Sequence, residues 1–212
     1  MKKLIERILA IVLCFLMSFN TLAATSENLN SDSDETLCEL KQTMLEINQF
    51  IQNNSKPLDL KNQEICYVIP LSNNTNAKYT LKITKNPISP FTVFDAKVGE
   101  WFFDSTLDLP NHGSIKVRTT VNITKVPDTV GLMPEFTAYD GKVTAIPSQY
   151  VSVDATLAET KRILPNIEYQ TTGYVGFNIG GIPANYYFTQ IIAVVDNQEN
   201  YNKIQCVLTG EF

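Results

Sequence analysis

Near residue 60 the hydrophobic pattern of this chain changes period, and that change limits the folds open to it. Leu37, Leu40, Met44, Ile47 and Ile51 step by three and four residues, which places them on one stripe of an α-helix. From residue 64 onward the step is two. Ile65, Tyr67 and Ile69 alternate with Cys66 and Val68, and Tyr79, Leu81 and Ile83 alternate with Thr80, Lys82 and Thr84. Over 115–123 the alternation is clearest. Ile115, Val117, Val121 and Ile123 take one face, while Lys116, Arg118, Thr120 and Asn122 take the other. That is a strand with one dry and one wet face, as in an antiparallel sheet. A single helix followed by many strands predicts a mainly β domain (α+β by strict count): an antiparallel sandwich or flattened barrel with one N-terminal amphipathic helix packed on it.

The spacing predicts a helix over 35–52, a linker over 53–63 and a β domain over 64–212. Ser33 or Asp34 suits the helix N-cap, and Glu35 suits the positive end of the dipole. Asn53-Asn54-Ser55-Lys56-Pro57 ends the helix. The stripe is too short for a coiled coil, so it is expected to pack on the domain.

Turn chemistry favours hairpins. Asp140-Gly141 lies between Phe136-Thr137-Ala138-Tyr139 and Lys142-Val143-Thr144-Ala145. A two-residue turn there would put Phe136, Ala138, Val143 and Ala145 on one face. Asn111-His112-Gly113 and Gly180-Gly181 mark two further reversals. Pro127, Pro134, Pro147, Pro165 and Pro183 are read as chain breaks that exclude long helices. The alternation of 167–179 contains Gly173 in phase, which predicts a bulge or bend. Thr156-Leu157-Ala158-Glu159 fits either a helix start or a strand. Ile191–Val195 is apolar on both faces, and Ile204, Cys206, Val207 and Leu208 nearly are. Such strands are expected to be central, with the helix covering the second face.

The ends and the charge bound the compartment. Lys2, Lys3 and Arg7 precede an apolar run from Ile8 to Met17, then Ser18, Asn20, Thr21 and the small pair Ala23-Ala24. These are the three parts of a secretory signal, read here as a cleavable segment over 1–23. Residues 24–34 are polar and unpatterned, a flexible mature N-terminus. Removal of the signal takes the chain from 17 cationic and 22 acidic residues to 14 and 21, a net charge of −7. Without a basic cluster, nucleic acid is excluded as a partner. Without a second long apolar segment, the mature form is not expected to span a membrane. The destination is the periplasm or the exterior of a cell, with a bacterial style of signal.

Cys14 leaves with the signal, and Cys38, Cys66 and Cys206 remain. In an oxidising compartment they predict one disulfide and one leftover thiol, all three pairings being open. Their spacing matches no metal pattern, and no cofactor motif is present.

Few residues suggest chemistry. His112 is the one histidine, but it sits in a turn with no nucleophile beside it. Asp95, Glu100, Asp104 and Asp108 form an acidic stretch that solvated strand positions explain better than a glycosidase pair does. Asn53, Asn73 and Asn122 match a short glycosylation pattern that chance also supplies. The aromatics are more informative. Trp101, Phe102 and Phe103 must alternate between faces if extended, and Tyr186 and Tyr187 form part of a second concentration. They are the candidate ligand or partner surface. The reading leans away from an enzyme. It favours an exported binding or interaction protein of the cell envelope or exterior, a possible component of a surface assembly, whose partner is another protein or a small apolar or sugar ligand. The alternatives are a barrel-like carrier of a small apolar ligand and a hydrolase with dispersed acidic residues.

Overall fold

The computed structural model describes residues 31–87, 98–110, 112–128, 131–145, 150–163, 166–179, 182–196 and 203–212. The segment 1–23 expected to be a signal and the stretch 24–30 lie outside the described residues, as do Asp95, Pro147, Pro165 and Gly180-Gly181. Ser31–Phe212 is one compact unit.

The helix, α1, spans Ser31–Asn54. It takes in residues 31–34 of the stretch expected to be flexible, so Ser33 and Asp34 lie inside its first turns and are not caps. The amide of Ser55 closes the last turn on the Ile51 carbonyl at 2.8 Å. The Asn54 side chain donates to the Phe50 carbonyl, also at 2.8 Å. Both satisfy carbonyls that a helix end leaves open.

Ten strands follow: β1 Leu58–Asp59, β2 Gln63–Pro70, β3 Asn76–Lys85, β4 Gly99–Leu109, β5 Gly113–Asp128, β6 Gly131–Ala145, β7 Tyr150–Ile163, β8 Asn166–Ile179, β9 Ile182–Asp196 and β10 Lys203–Glu211. They make two antiparallel five-stranded sheets. The first, sheet A, has the order β1-β10-β9-β8-β7, and the second, sheet B, has the order β2-β3-β4-β5-β6. Apart from the β1–β10 pair, successive strands pair within each sheet, and the chain changes sheets between β1 and β2 and again between β6 and β7. The result is a sandwich and not a closed barrel. The stretch 53–63 is more than a linker, since β1 pairs Leu58 with Ile204 and Asp59 with Lys203. Residues 156–159 belong to strand β7.

Burial follows the period of two. Trp101, Phe103, Leu107 and Leu109 of β4, and Ile115, Val117, Val121 and Ile123 of β5, point into the gap between the sheets. They meet Ile167, Tyr169, Val175 and Phe177 of β8 and Tyr186, Phe188, Ile192 and Val194 of β9. Each side chain enclosed in this way contributes about 1.5–3 kcal/mol. As expected from its composition, β9 is the middle strand of its sheet, but β10, also expected to be central, has only the two-residue β1 beyond it.

The helix does not lie over the outer face of β9 and β10. It fills the open side of the sandwich, where β2 and β10 do not pair. Met44, Ile47 and Ile51 enter the core there. Asn48 donates to the Gly210 carbonyl at 2.7 Å and accepts from the Gly210 amide at 3.2 Å, which occupies the free edge of β10. Glu46 accepts from the Ser72 amide at 2.9 Å and the Ser72 hydroxyl at 2.6 Å at the β2–β3 turn. Phe50 meets Tyr67 edge-on at 6.1 Å. An unpaired strand edge invites another chain, and a covering helix removes that template.

The Asp140-Gly141 hairpin does not form. β6 runs straight through it, and β5 pairs Thr120 with Asp140 but Val121 with Ala138. Tyr139 is therefore an extra residue, a β-bulge. One inserted residue shifts the phase of the alternation just as a two-residue turn would. Phe136, Ala138 and Val143 thus still face inward, and Tyr139 and Lys142 outward. A second register shift, between Lys116 and Val117, pairs Ala145 with Lys116. Gly141 answers to packing, because a Cβ there would lie 2.4 Å from the Thr171 hydroxyl oxygen on the opposing sheet.

Two other expectations are corrected. No register break occurs at Gly173 in either of its ladders. A Cβ there would meet the Asp154 carbonyl oxygen at 2.0 Å and the Phe188 ring at 2.8 Å, so the glycine permits close approach, not a bulge. Pro127, Pro134 and Pro183 lie within paired strands and do not end them. Pro134 is on edge strand β6. Pro127 lies beyond Ile123, where β5 has lost β4 as a neighbour, so neither position must donate to a second ladder.

Candidate functional site

The five aromatics named from the sequence separate by strand phase. Trp101 is only 3% exposed, and Phe103 and Tyr186 are also enclosed. The Tyr186 ring packs on Phe212 at 5.3 Å, and its hydroxyl has no hydrogen-bond partner among the described residues. Phe102 and Tyr187 face outward, Phe102 on sheet B and Tyr187 on sheet A. The structure therefore does not bring the five into one surface.

A cleft where α1 meets the sheets has about 10 Å³ of room and is lined in part by Phe50, Ile51, Tyr67, Tyr79, Leu81 and Cys206. A cavity for a small ligand needs on the order of 300 Å³.

Across the core runs a polar network that the hydrophobic pattern passes over. Gln190 of β9 donates to the Ser105 hydroxyl at 2.8 Å and to the Phe103 carbonyl at 3.1 Å. Its side-chain oxygen accepts from Thr119 at 2.6 Å, and the hydroxyls of Thr119 and Thr171 are 2.5 Å apart. Tyr79 and Cys206 approach Ser105 at 3.4 and 3.6 Å. The signal for this network was present in the sequence. Ser105, Thr119, Thr171 and Gln190 each occupy an inward phase of a strand whose other inward residues are largely apolar.

No disulfide forms among Cys38, Cys66 and Cys206. Cys66 points outward from β2 and Cys206 inward from β10, so strand alternation keeps that pair apart. Cys38 lies on an exposed side of α1. Burial pushes the Cys206 thiol up to about 12, which keeps it protonated and unreactive.

The described carboxylates of β4 act singly. Glu100 and Asp104 are four strand positions apart, about 13 Å, beyond the 6.5–9.5 Å typical of a glycosidase pair. Glu100 accepts from the Asn86 side chain at 2.5 Å and from the Tyr139 hydroxyl. Asp108 accepts from Ser114. His112 is half-buried in the β4–β5 turn, its amide bonded to the Leu109 carbonyl at 3.2 Å. Burial is what holds its pKa below the usual histidine value. Among the described residues no three His, Cys, Asp or Glu side chains gather as metal ligands, and no helix is long and apolar enough to cross a membrane.

The outer face of sheet B is largely paired within itself. Arg118 grips Asp104 through two nitrogens at 2.6 and 2.8 Å and lies over the Phe102 ring at 4.6 Å. Lys116 reaches Asp104 at 2.9 Å. Lys82 meets Glu64 at 3.5 Å and Lys142 meets Asp140 at 2.7 Å. Burial pushes the Asp104 carboxyl up, but hydrogen bonds and charge from Arg118 and Lys116 outweigh it and hold the pKa below 3.8. A carboxylate with a depressed folded pKa stabilises the fold above its unfolded pKa and loses that contribution as pH falls through the folded value. Asp104→Asn is therefore expected to cost about 2 kcal/mol at pH 7 and to flatten the loss of stability below about pH 4. Urea unfolding from pH 7 to pH 2 measures both, and an unchanged acid limb would rule out Asp104 as its source.

Sheet A presents a different outer face. Register aligns Asp154 with Tyr174, Tyr174 with Tyr187, and Tyr187 with Glu211 across four strands. The tyrosine rings are 6.1 Å apart, and Tyr187 is 51% exposed. Asn185 donates to the Tyr187 hydroxyl at 3.3 Å. The next row is Thr156, Thr172, Thr189 and Thr209. Beyond it Gln170, Ile191 and Val207 align. Sequence reading found Tyr187 but missed its row, because cross-strand neighbours are distant in the chain. Comparisons with protein-family models, with curated proteins and with solved structures found no match.

Proposed function

We propose that this is an exported, non-enzymatic interaction protein of the cell envelope or exterior, and that it meets its partner with the outer face of sheet A. The observation that carries the reading is the contrast between the two faces. On sheet B the cations, carboxylates and Phe102 engage one another. On sheet A two adjacent tyrosines, one of them half-exposed, stand beside a strip of threonines. Tyrosine on a flat surface offers a rigid apolar ring and a polar tip, the combination enriched at protein interfaces. The small room in the described cleft beside α1 weighs against the carrier alternative. Export rests on the cationic, apolar and small-residue order of residues 1–23.

The test is site-specific photocrosslinking in the cell of origin. A benzophenone side chain placed at Thr172, on the outer face of sheet A, is expected to give a discrete adduct in the exported fraction. One at Thr80, on the outer face of sheet B, is expected to give none. Equal crosslinking at both positions, or protein confined to the cytoplasm, would refute the reading.

A further inference from the structure

We propose that the outer face of sheet A receives an arginine or lysine side chain from a basic segment of a partner protein, seated over Tyr174 and Tyr187 between the carboxylates of Asp154 and Glu211. This rests on sheet A being the partner surface and names the chemistry that the surface selects.

The geometry comes from register. Asp154, Tyr174, Tyr187 and Glu211 are direct cross-strand partners on β7, β8, β9 and β10. Neighbouring strands are about 4.8 Å apart, so the row is about 14 Å long, with an acid at each end and aromatic rings between. An aromatic face attracts a cation through its quadrupole, and a carboxylate beside it adds charge-assisted hydrogen bonds. Among the described residues, no ion pair engages Asp154 or Glu211, and no cation lies over either ring. Asp154 accepts only the amide of its neighbour Ala155, at 2.9 Å.

The molecule already contains a filled version of this arrangement. On sheet B, Arg118 lies over the Phe102 ring at 4.6 Å while its two nitrogens hold Asp104. Sheet A has the ring and the carboxylates of that arrangement without the cation. The net charge of −5 adds a long-range attraction for a basic partner. The threonine strip beside the row supplies hydroxyls that can donate to or accept from an extended partner backbone. The two carboxylates favour a cation over a neutral ligand of the same shape, because only the cation gains the charge attraction as well as the hydrogen bonds. A second copy docked face to face on the same row would bring acids against acids.

The probe is the heptapeptide Ser-Arg-Ser-Arg-Ser-Arg-Ser, with its citrulline counterpart as a neutral control of the same shape. Each is titrated into the ¹⁵N-labelled protein. The arginine peptide is expected to move the amides of Thr172, Tyr187 and Thr209 and leave those of Thr80 and Thr106 in place. Tyr187→Ala and the double variant Asp154→Asn with Glu211→Gln change exposed side chains. Each is expected to weaken the interaction by about tenfold while the other amides keep their native positions. Raising the salt is expected to weaken it as well. Several outcomes would overturn the proposal: no shift, shifts scattered over both faces, equal binding of the citrulline peptide, or full binding by Tyr187→Ala. Shifts produced by cellobiose in place of the peptide would also overturn it and mark a sugar platform. If the peptide fails while Thr172 still crosslinks, the cationic chemistry falls and the partner surface stands. If the crosslink fails too, both fall.

Discussion

Gln190→Leu is expected to destabilise the protein by about 3 kcal/mol, although it replaces a polar core residue with an apolar one of similar size. The Gln190 amide nitrogen and oxygen link Ser105 and the Phe103 carbonyl to Thr119, and Thr119 to Thr171. All four side chains are buried. Leucine removes the hydrogen bonds of Gln190 to Ser105, the Phe103 carbonyl and Thr119, at about 0.5–1.5 kcal/mol each. Ser105 keeps Tyr79 and Cys206, and Thr119 keeps Thr171. Apolar burial recovers only part of the loss. In a chain of this length about 3 kcal/mol lowers the melting temperature by about 9 °C. Thermal and urea unfolding measure the effect. A neutral Gln190→Leu variant would mean that the network adds nothing to stability.

Gly173→Ala is expected to cost about 3 kcal/mol or more, for a steric reason. The new methyl would sit 2.0 Å from the Asp154 carbonyl oxygen and 2.8 Å from the Ala155 Cα, both in the backbone of β7. The Phe188 ring can turn aside, but a paired strand cannot move without breaking its ladder. Because β7 is an edge strand of sheet A, the strain is expected to loosen β7 first. Hydrogen exchange should then quicken at 152–159 before it does in β9. Uniform protection across sheet A would contradict this. Gly173→Ala would also perturb the Asp154–Tyr174 end of the proposed surface, so it is a test of packing alone.

The sequence was informative wherever the governing rule was local. Alternation set Trp101 and Phe103 on the face opposite Phe102, because successive side chains of a strand leave opposite faces; the packing of β4 made that face the inner one. The same parity grouped Phe136, Ala138 and Val143 correctly although the expected turn was a bulge. Asp140-Gly141 carries the same residues in either case, and the choice depended on β5 continuing to Asp128 as a partner. Glycine was misread twice, at Gly141 and Gly173, because what demands its missing side chain lies in other strands. The disulfide expectation followed from compartment and count, and the structure leaves Cys38, Cys66 and Cys206 free.

By itself, the sequence determined one amphipathic helix, a series of half-buried strands, and which side chains of a strand share a face. Those properties depend on the chain's own period and on the sign of its side chains toward water. Only the tertiary structure decided that α1 fills the gap between β2 and β10, that Gln190 meets Ser105 and Thr119, and that Asp154, Tyr174, Tyr187 and Glu211 stand in one row. Such neighbours are set by strand register and by the distance between two sheets. Both arise when separate segments share one core, and neither is encoded in any single segment.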